Sequence, residues 1–152
     1  MTAPPAGLLL FDTSIYIRLS RKEEYLWLRE DDQIYRRTVL TAVVAAELYA
    51  GTRSYREKRV LDELCQAHRE RGHFSSPSMT EWIDAGILLR RARTVFGQMD
   101  FVRHFRDVLI AVETSRIGAT LVTENTRHFA RWKSLLASAG KTLKLFTPLG
   151  KH

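Results

Sequence analysis

A single cysteine, Cys65, stands among 152 residues, so no intrachain disulfide can brace the fold, and a reducing compartment is expected. Glycine and proline are scarce at eight and four, which excludes collagen-like and Pro/Gly-rich low-complexity chains. The longest nearly uncharged stretches, residues 8–11 and 38–46, fall far short of the roughly 18 apolar residues that cross a bilayer. No basic cluster precedes an apolar run at the start of the chain, and Asp12 interrupts the short run that follows, so no secretory signal is expected. The chain therefore reads as cytoplasmic, with no membrane partner. It has no glycine-rich phosphate loop, no Cys-x-x-Cys pair and no Ser/His/Asp arrangement in a familiar context, which leaves NTP hydrolysis, zinc binding and acyl transfer without support.

What is present suits one globular domain spanning residues 1–152, with 45% hydrophobic and 27% charged residues. The net charge is +7, unevenly spread. Residues 116–152 carry seven basic groups against one acidic, whereas residues 1–52 are nearly balanced. A basic end of this kind favours polyanions through counterion release, although charge alone does not separate a nucleic-acid protein from any other basic one.

Residues 8–11 form a short apolar run closed by Asp12-Thr13-Ser14, which reads as a buried strand ending in a polar loop. Residues 23–29 read as a short helix. A brief strand over 39–41 leads into a helix over 42–50, with Thr41 as N-cap and Gly51 as stop. Val60, Leu61, Leu64, Cys65 and His68 mark the core stripe of a helix over 54–71, and Phe74 to Ser76 reads as another short strand. Ser78 and Glu81 match a capping box ahead of a helix to about residue 97, with Trp82 on its core stripe. Asp107 opens a buried helix to about Arg116, residues 119–123 read as a strand, 125–137 as a helix and 142–146 as a last strand. Strands alternating with helices predict an α/β sandwich with a mainly parallel sheet of four or five strands, whose ligand crevice lies at the carboxyl ends of the strands.

Four polar residues break apolar runs or sit where such a crevice would form: Asp12, Glu47, Asp107 and Asn125. Alone, each has an ordinary reading as a turn, cap or ion-pair residue. Together, several carboxylates in one crevice would repel and raise one another's pKa unless a cation compensated them. Three carboxylates and an amide are hard oxygen donors of the kind Mg2+ or Mn2+ accepts.

Residues 11–14 (Phe-Asp-Thr-Ser), 46–51 (Ala-Glu-Leu-Tyr-Ala-Gly), 107–111 (Asp-Val-Leu-Ile-Ala) and 121–129 (Leu-Val-Thr-Glu-Asn-Thr-Arg-His-Phe) resemble, in order and spacing, the four signatures of PIN-domain ribonucleases of the VapC toxin type. The resemblance covers about residues 8–147. It implies a PIN-like, Rossmann-like three-layer sandwich and a Mg2+- or Mn2+-dependent endoribonuclease acting as the toxin of a toxin–antitoxin pair. A homodimer and a cognate antitoxin come with it. Carried onto this chain, it makes Asp12 and Asp107 the principal metal ligands, Glu47 a further one, Asn125 a fourth catalytic position, and Thr13, Ser14 and Thr123 polar support. Arg106, Arg127, Arg131 and Lys133 are the candidate RNA contacts.

Arg106 stands where the family often has a small polar residue, so it is read as pairing with an active-site acid or meeting a phosphate. Asn125 leaves three formal carboxylates, and Glu124 is read as facing solvent. His104 and His128 are read chiefly as packing or surface residues, like Trp27 and Trp132, with base catalysis and base stacking as the minor alternatives. Arg90, Arg91 and Arg93 form a basic cluster whose readings are RNA contact, dimer contact or a solvated face, with nothing in the sequence to choose among them. Two other roles share this sequence: a non-catalytic nucleic-acid-binding module with structural acids, and a PIN-type nuclease of RNA processing or DNA.

Overall fold

The computed structural model describes residues 3–21 and 23–148. Its centre is a parallel sheet of five strands, β1 (Leu9–Phe11), β2 (Thr38–Thr41), β3 (Phe74–Ser75), β4 (Thr120–Val122) and β5 (Lys144–Phe146), in the order β3-β2-β1-β4-β5. Every residue of β1, β2 and β4 is buried, which is why these strands read as continuous apolar runs rather than alternating ones. Among the described residues eight helices accompany the sheet: α1 (Thr13–Arg21), α2 (Leu26–Glu30), α3 (Asp32–Arg36), α4 (Ala42–Ala50), α5 (Tyr55–Glu70), α6 (Met79–Phe96), α7 (Phe101–Ile117) and α8 (Thr126–Ser138). The expected α/β sandwich is the observed fold.

The order of the sheet decides where a site can form. Central β1 lies between β2 and β4, and its register with β4 pairs Phe11 with Val122. Asp12 and Thr123, the next residues of each strand, therefore emerge side by side, tied by a hydrogen bond from Asp12 N to Val122 O at 3.1 Å. The chain runs from β1 into α1 on one side and from β4 into α8 on the other. The same carboxyl edge thus receives two helix starts and two loops.

Local sequence explains most boundaries. Thr41 caps α4 through its side chain, Gly51 ends it, and the Ser78/Glu81 capping box opens α6. Gly118 takes a positive φ of 71° to stop α7, a conformation that costs a side-chain-free residue little.

Three expectations need correction. Thr13 and Ser14 belong to α1 rather than to a loop, because Ile15, Tyr16 and Leu19 bury one helical stripe and Asp12 caps the turn, its carbonyl accepting from Ile15 N at 3.2 Å. The helix over 23–29 begins later and is followed by another, because Tyr25 adopts a left-handed φ of 59° before α2 and Asp31 caps α3 by accepting from Gln33 N and Ile34 N. Helix α7 begins at Phe101, not at Asp107, since Asp100 accepts from Val102 N and Arg103 N. Asp107 lies well inside the helix, so the dipole at a helix start plays no part in holding its charge.

The core runs from the sheet into α7 and α8, with Leu9, Leu10, Leu121, Phe129, Trp132 and Leu136 almost wholly enclosed. Trp132 is therefore a core residue with no face for a base. Trp82 departs from its expected place on the core stripe and is half exposed, its ring tilted against Phe105 at 5.0 Å between ring centroids. Val60 is likewise exposed on α5.

Candidate functional site

Asp12, at the carboxyl end of β1, is the most enclosed of the expected acids at 4% exposed. Its carboxylate accepts from the hydroxyls of Ser14 and Thr123 and from Ile15 N. Thr123 continues the chain of contacts, because its hydroxyl oxygen also accepts from Asn125 N at 2.9 Å. One hydroxyl thus ties the end of β1 to the turn that starts α8. Burial raises the Asp12 pKa, and the donors from Ser14, Thr123 and the α1 backbone pull it partly back.

Asp107 comes from the second turn of α7 and is partly buried. Its pKa is raised by burial and next by the charge of Asp12, while His128 and Arg106 lower it. Asp12 and Asp107 therefore share one electrostatic environment, with His128 within its reach. Glu47 projects from α4, and its pKa is raised by burial; Arg106 opposes that rise, whereas Asp107 and Asp12 add to it. Thr13 Oγ1 is buried without a well-formed hydrogen bond, near enough to Glu47 to favour its charged form. Burial and like charge are how a crevice of acids shifts proton affinity upward.

The cations are few. Arg106 Nη1 lies 3.3 Å from Glu47 Oε2, with the arginine 58% and the glutamate 19% exposed. Among the described residues no salt bridge reaches Asp12 or Asp107. Two carboxylates drawn out of water with no direct ion-pair partner favour taking up a proton or a cation, since burying unpaired charge is costly. Among the described residues no three His, Cys, Asp or Glu side chains stand grouped as metal ligands. The donor set nonetheless suits a hard divalent cation, because its members are oxygens, two lack ionic partners, and a buried hydroxyl nearby is unsatisfied.

Asn125 precedes α8 at the N-cap position, exposed, and its side chain makes no capping bond. Ser14 and Thr123 touch Asp12 directly, as expected of polar support. Arg127, Arg131 and Lys133 are exposed on α8, with the Arg131 guanidinium 5.6 Å from the Phe96 ring centroid. His104 faces Trp132 at 6.2 Å between centroids, and burial lowers its pKa.

Glu124 does not face open solvent as expected. It accepts from Arg18 Nε at 3.2 Å and Tyr25 Oη at 2.6 Å, pinning α1 and the start of α2 beside the β4 edge. Nothing in the local sequence announces partners about a hundred positions away. Glu113 also escaped notice: fully buried on α7, it accepts from Thr41 Oγ1 at 2.9 Å, and burial raises its pKa. Its signal was an acid directly after the all-apolar residues 108–112.

No family model matches the chain, and no curated protein matches it. Solved structures do. A chain of VapBC2 from Rickettsia felis, bound to a DNA fragment from its promoter, is 19% identical with a TM-score of 0.66, over 93% of this chain and 99% of that one. A chain of FitAcB from Neisseria gonorrhoeae is 21% identical with a TM-score of 0.65, over 91% and 96%. A chain of VapBC-1 from nontypeable Haemophilus influenzae is 19% identical with a TM-score of 0.63, over 92% and 97%. The likeness shows the fold, which is the PIN-like one that the four motifs imply.

Proposed function

We propose that this protein is a divalent-metal-dependent endoribonuclease and the toxin of a toxin–antitoxin pair. The observation that carries the reading is the crevice at the carboxyl ends of β1 and β4, where the charge of enclosed Asp12 bears on Asp107 and neither acid has a salt bridge among the described residues. The similar chains come from VapBC and FitAB-type complexes, which supports a cognate antitoxin as partner. Among the described residues no helix is long and apolar enough to cross a membrane.

Asp12 and Asp107 would hold Mg2+ or Mn2+, with Glu47 as a further ligand. Such an ion, when bound, activates a water and polarises a phosphodiester. The chain's own residues set the stage. Ser14, Thr123 and the α1 backbone fix the Asp12 carboxylate in one orientation, and Thr123 fixes the turn before α8 with it. The unengaged Asn125 amide offers a neutral polar group at that turn. Arg127, Arg131 and Lys133 offer exposed cations for RNA phosphates along α8.

The reading also includes a homodimer, for which α6 and α7 supply an exposed apolar face. Met79, Ile83, Ile87, Phe101 and Val102 are each more than half exposed, and the Trp82 ring of α6 meets the Phe105 ring of α7 at 5.0 Å between centroids to join the two helices. A face of this size on a soluble protein marks an interaction surface.

A second reading, a nucleic-acid-binding module with structural acids, is favoured by the Arg106–Glu47 pair and by the lack of a ready ligand group. Purified protein incubated with total RNA and Mg2+, followed by mapping of new ends, separates the two. Discrete cleavage that EDTA stops is expected; intact RNA, or cleavage indifferent to EDTA, contradicts the proposed activity.

A further inference from the structure

We infer that Arg106 is an exchangeable counter-ion, holding Glu47 while the crevice lacks a metal, leaving when a divalent cation enters, and then meeting a phosphate of the polyanionic substrate. The inference rests on the proposed metal site and names how that site is gated.

The geometry of Arg106 is that of a removable partner. It makes one ion-pair contact with Glu47, at 3.3 Å, with its own side chain 58% exposed. A single contact by an exposed, flexible guanidinium is weak and easily given up, unlike a buried bidentate clamp. Arg106 immediately precedes Asp107 on α7, so any departure leaves the cation at the rim of the same crevice. The alternatives within the protein are poor. A groove of about 410 Å3 runs past Glu47 and Arg106, and its other walls include Val43, Ala46, Trp82, Phe105 and Leu109, with the Ser76 hydroxyl as a neutral, weaker acceptor than a carboxylate. An arginine released from Glu47 therefore finds water or an incoming anion.

Charge decides the direction of exchange. Glu47 is the one acid of the three that already has a cation, while Asp12 and Asp107 have none among the described residues. A divalent ion drawn in by those two would repel the guanidinium and compete with it for Glu47. Once freed, the guanidinium presents the planar, multiple-donor geometry that suits phosphate.

The test is Mn2+ titration by calorimetry on full-length protein without RNA, comparing wild type, Arg106→Gln, Glu47→Gln and the double variant. Arg106→Gln is expected to bind Mn2+ about three- to ten-fold more tightly, because one nearby positive charge and one competitor are gone. In the Glu47→Gln background that gain should largely vanish. Cleavage kinetics supply a second readout: Arg106→Gln should raise KM for RNA about ten-fold with kcat nearly unchanged, and Arg106→Lys should recover part of the loss. Unchanged or weaker Mn2+ binding in Arg106→Gln, or an equal gain in both backgrounds, overturns the exchange. An unmoved KM overturns the phosphate contact. Wild type that binds no Mn2+ removes the metal site itself, a failure distinct from the other two.

Discussion

Asp107→Asn should lower RNA cleavage by about a thousand-fold, the scale on which single electrostatic groups at a reacting centre act, while leaving the protein folded and slightly more stable. The two effects have one cause. The Asp107 carboxyl is partly buried and stands in the field of Asp12, so its charge is unfavourable in the folded protein without a metal. Asparagine removes that charge at nearly the same size and helix propensity. A gain of about 1 kcal/mol is expected, or about 2–4 °C in Tm for a chain of this size. The pH dependence follows from the direction of the shifts. Asp12, Asp107 and Glu47 all have folded pKa values above their ordinary ones, so the folded state binds more protons than the unfolded. Their contribution to stability is therefore complete below about pH 4 and is lost as the pH climbs through the raised values. Metal-free wild type should lose Tm over that rise, and Asp107→Asn should lose less. A structural acid would behave oppositely, since neutralising a satisfied carboxylate destabilises. Thermal melts of both proteins from pH 4 to 8, alongside an RNA cleavage assay, decide between them.

Ile83→Glu should convert a dimer into a monomer with little change in the stability of the chain. Ile83 is 64% exposed on α6, one turn from exposed Met79 and Ile87, and Phe101 and Val102 are exposed on α7. A two-fold interface places the same patch on both partners, so one substitution inserts two charges into a single apolar contact. A standard interface buries about 800 Å2 per partner with charge depleted at its centre, and a glutamate there carries a heavy desolvation cost. The same residue in an isolated chain is already in water, so the fold loses little. Light scattering behind gel filtration should give twice the chain mass for wild type and the single chain mass for Ile83→Glu. A monomeric wild type, or a dimer untouched by the substitution, would place the interface elsewhere or remove it.

How much of this was legible in the sequence depends on how local each feature is. The strand over residues 8–11, the helix over 42–50 with its Thr41 cap and Gly51 stop, and the capping box at Ser78 and Glu81 all rest on neighbours in the chain, and the structure has them. Helix α1 was missed because Asp12-Thr13-Ser14 is turn-like in composition, and the Ile15, Tyr16, Leu19 stripe that outweighs it is short. The start of α7 is hidden in the sequence because Phe101 and Val102 are apolar yet exposed, so the continuous apolar stretch marks only the part of the helix from residue 108. Trp82 departs for another reason: its spacing continues the buried stripe of Ala85, Leu89 and Ala92, but in the first turn of α6 it lies half exposed beside Phe105. The candidate site was legible as a set of chain positions. Its counter-charges were less so, because the Arg106–Glu47 contact joins α7 to α4, and the Glu124 contacts with Arg18 and Tyr25 span the chain.

The most direct measurement is the melting temperature of wild type and of Asp12→Asn at neutral pH as Mn2+ is added. If the enclosed carboxylates take up the ion, wild type should gain several degrees at saturating metal, by mass action on the folded state, and Asp12→Asn should gain far less. A wild-type melting temperature indifferent to Mn2+, or an equal rise in both proteins, would contradict the account.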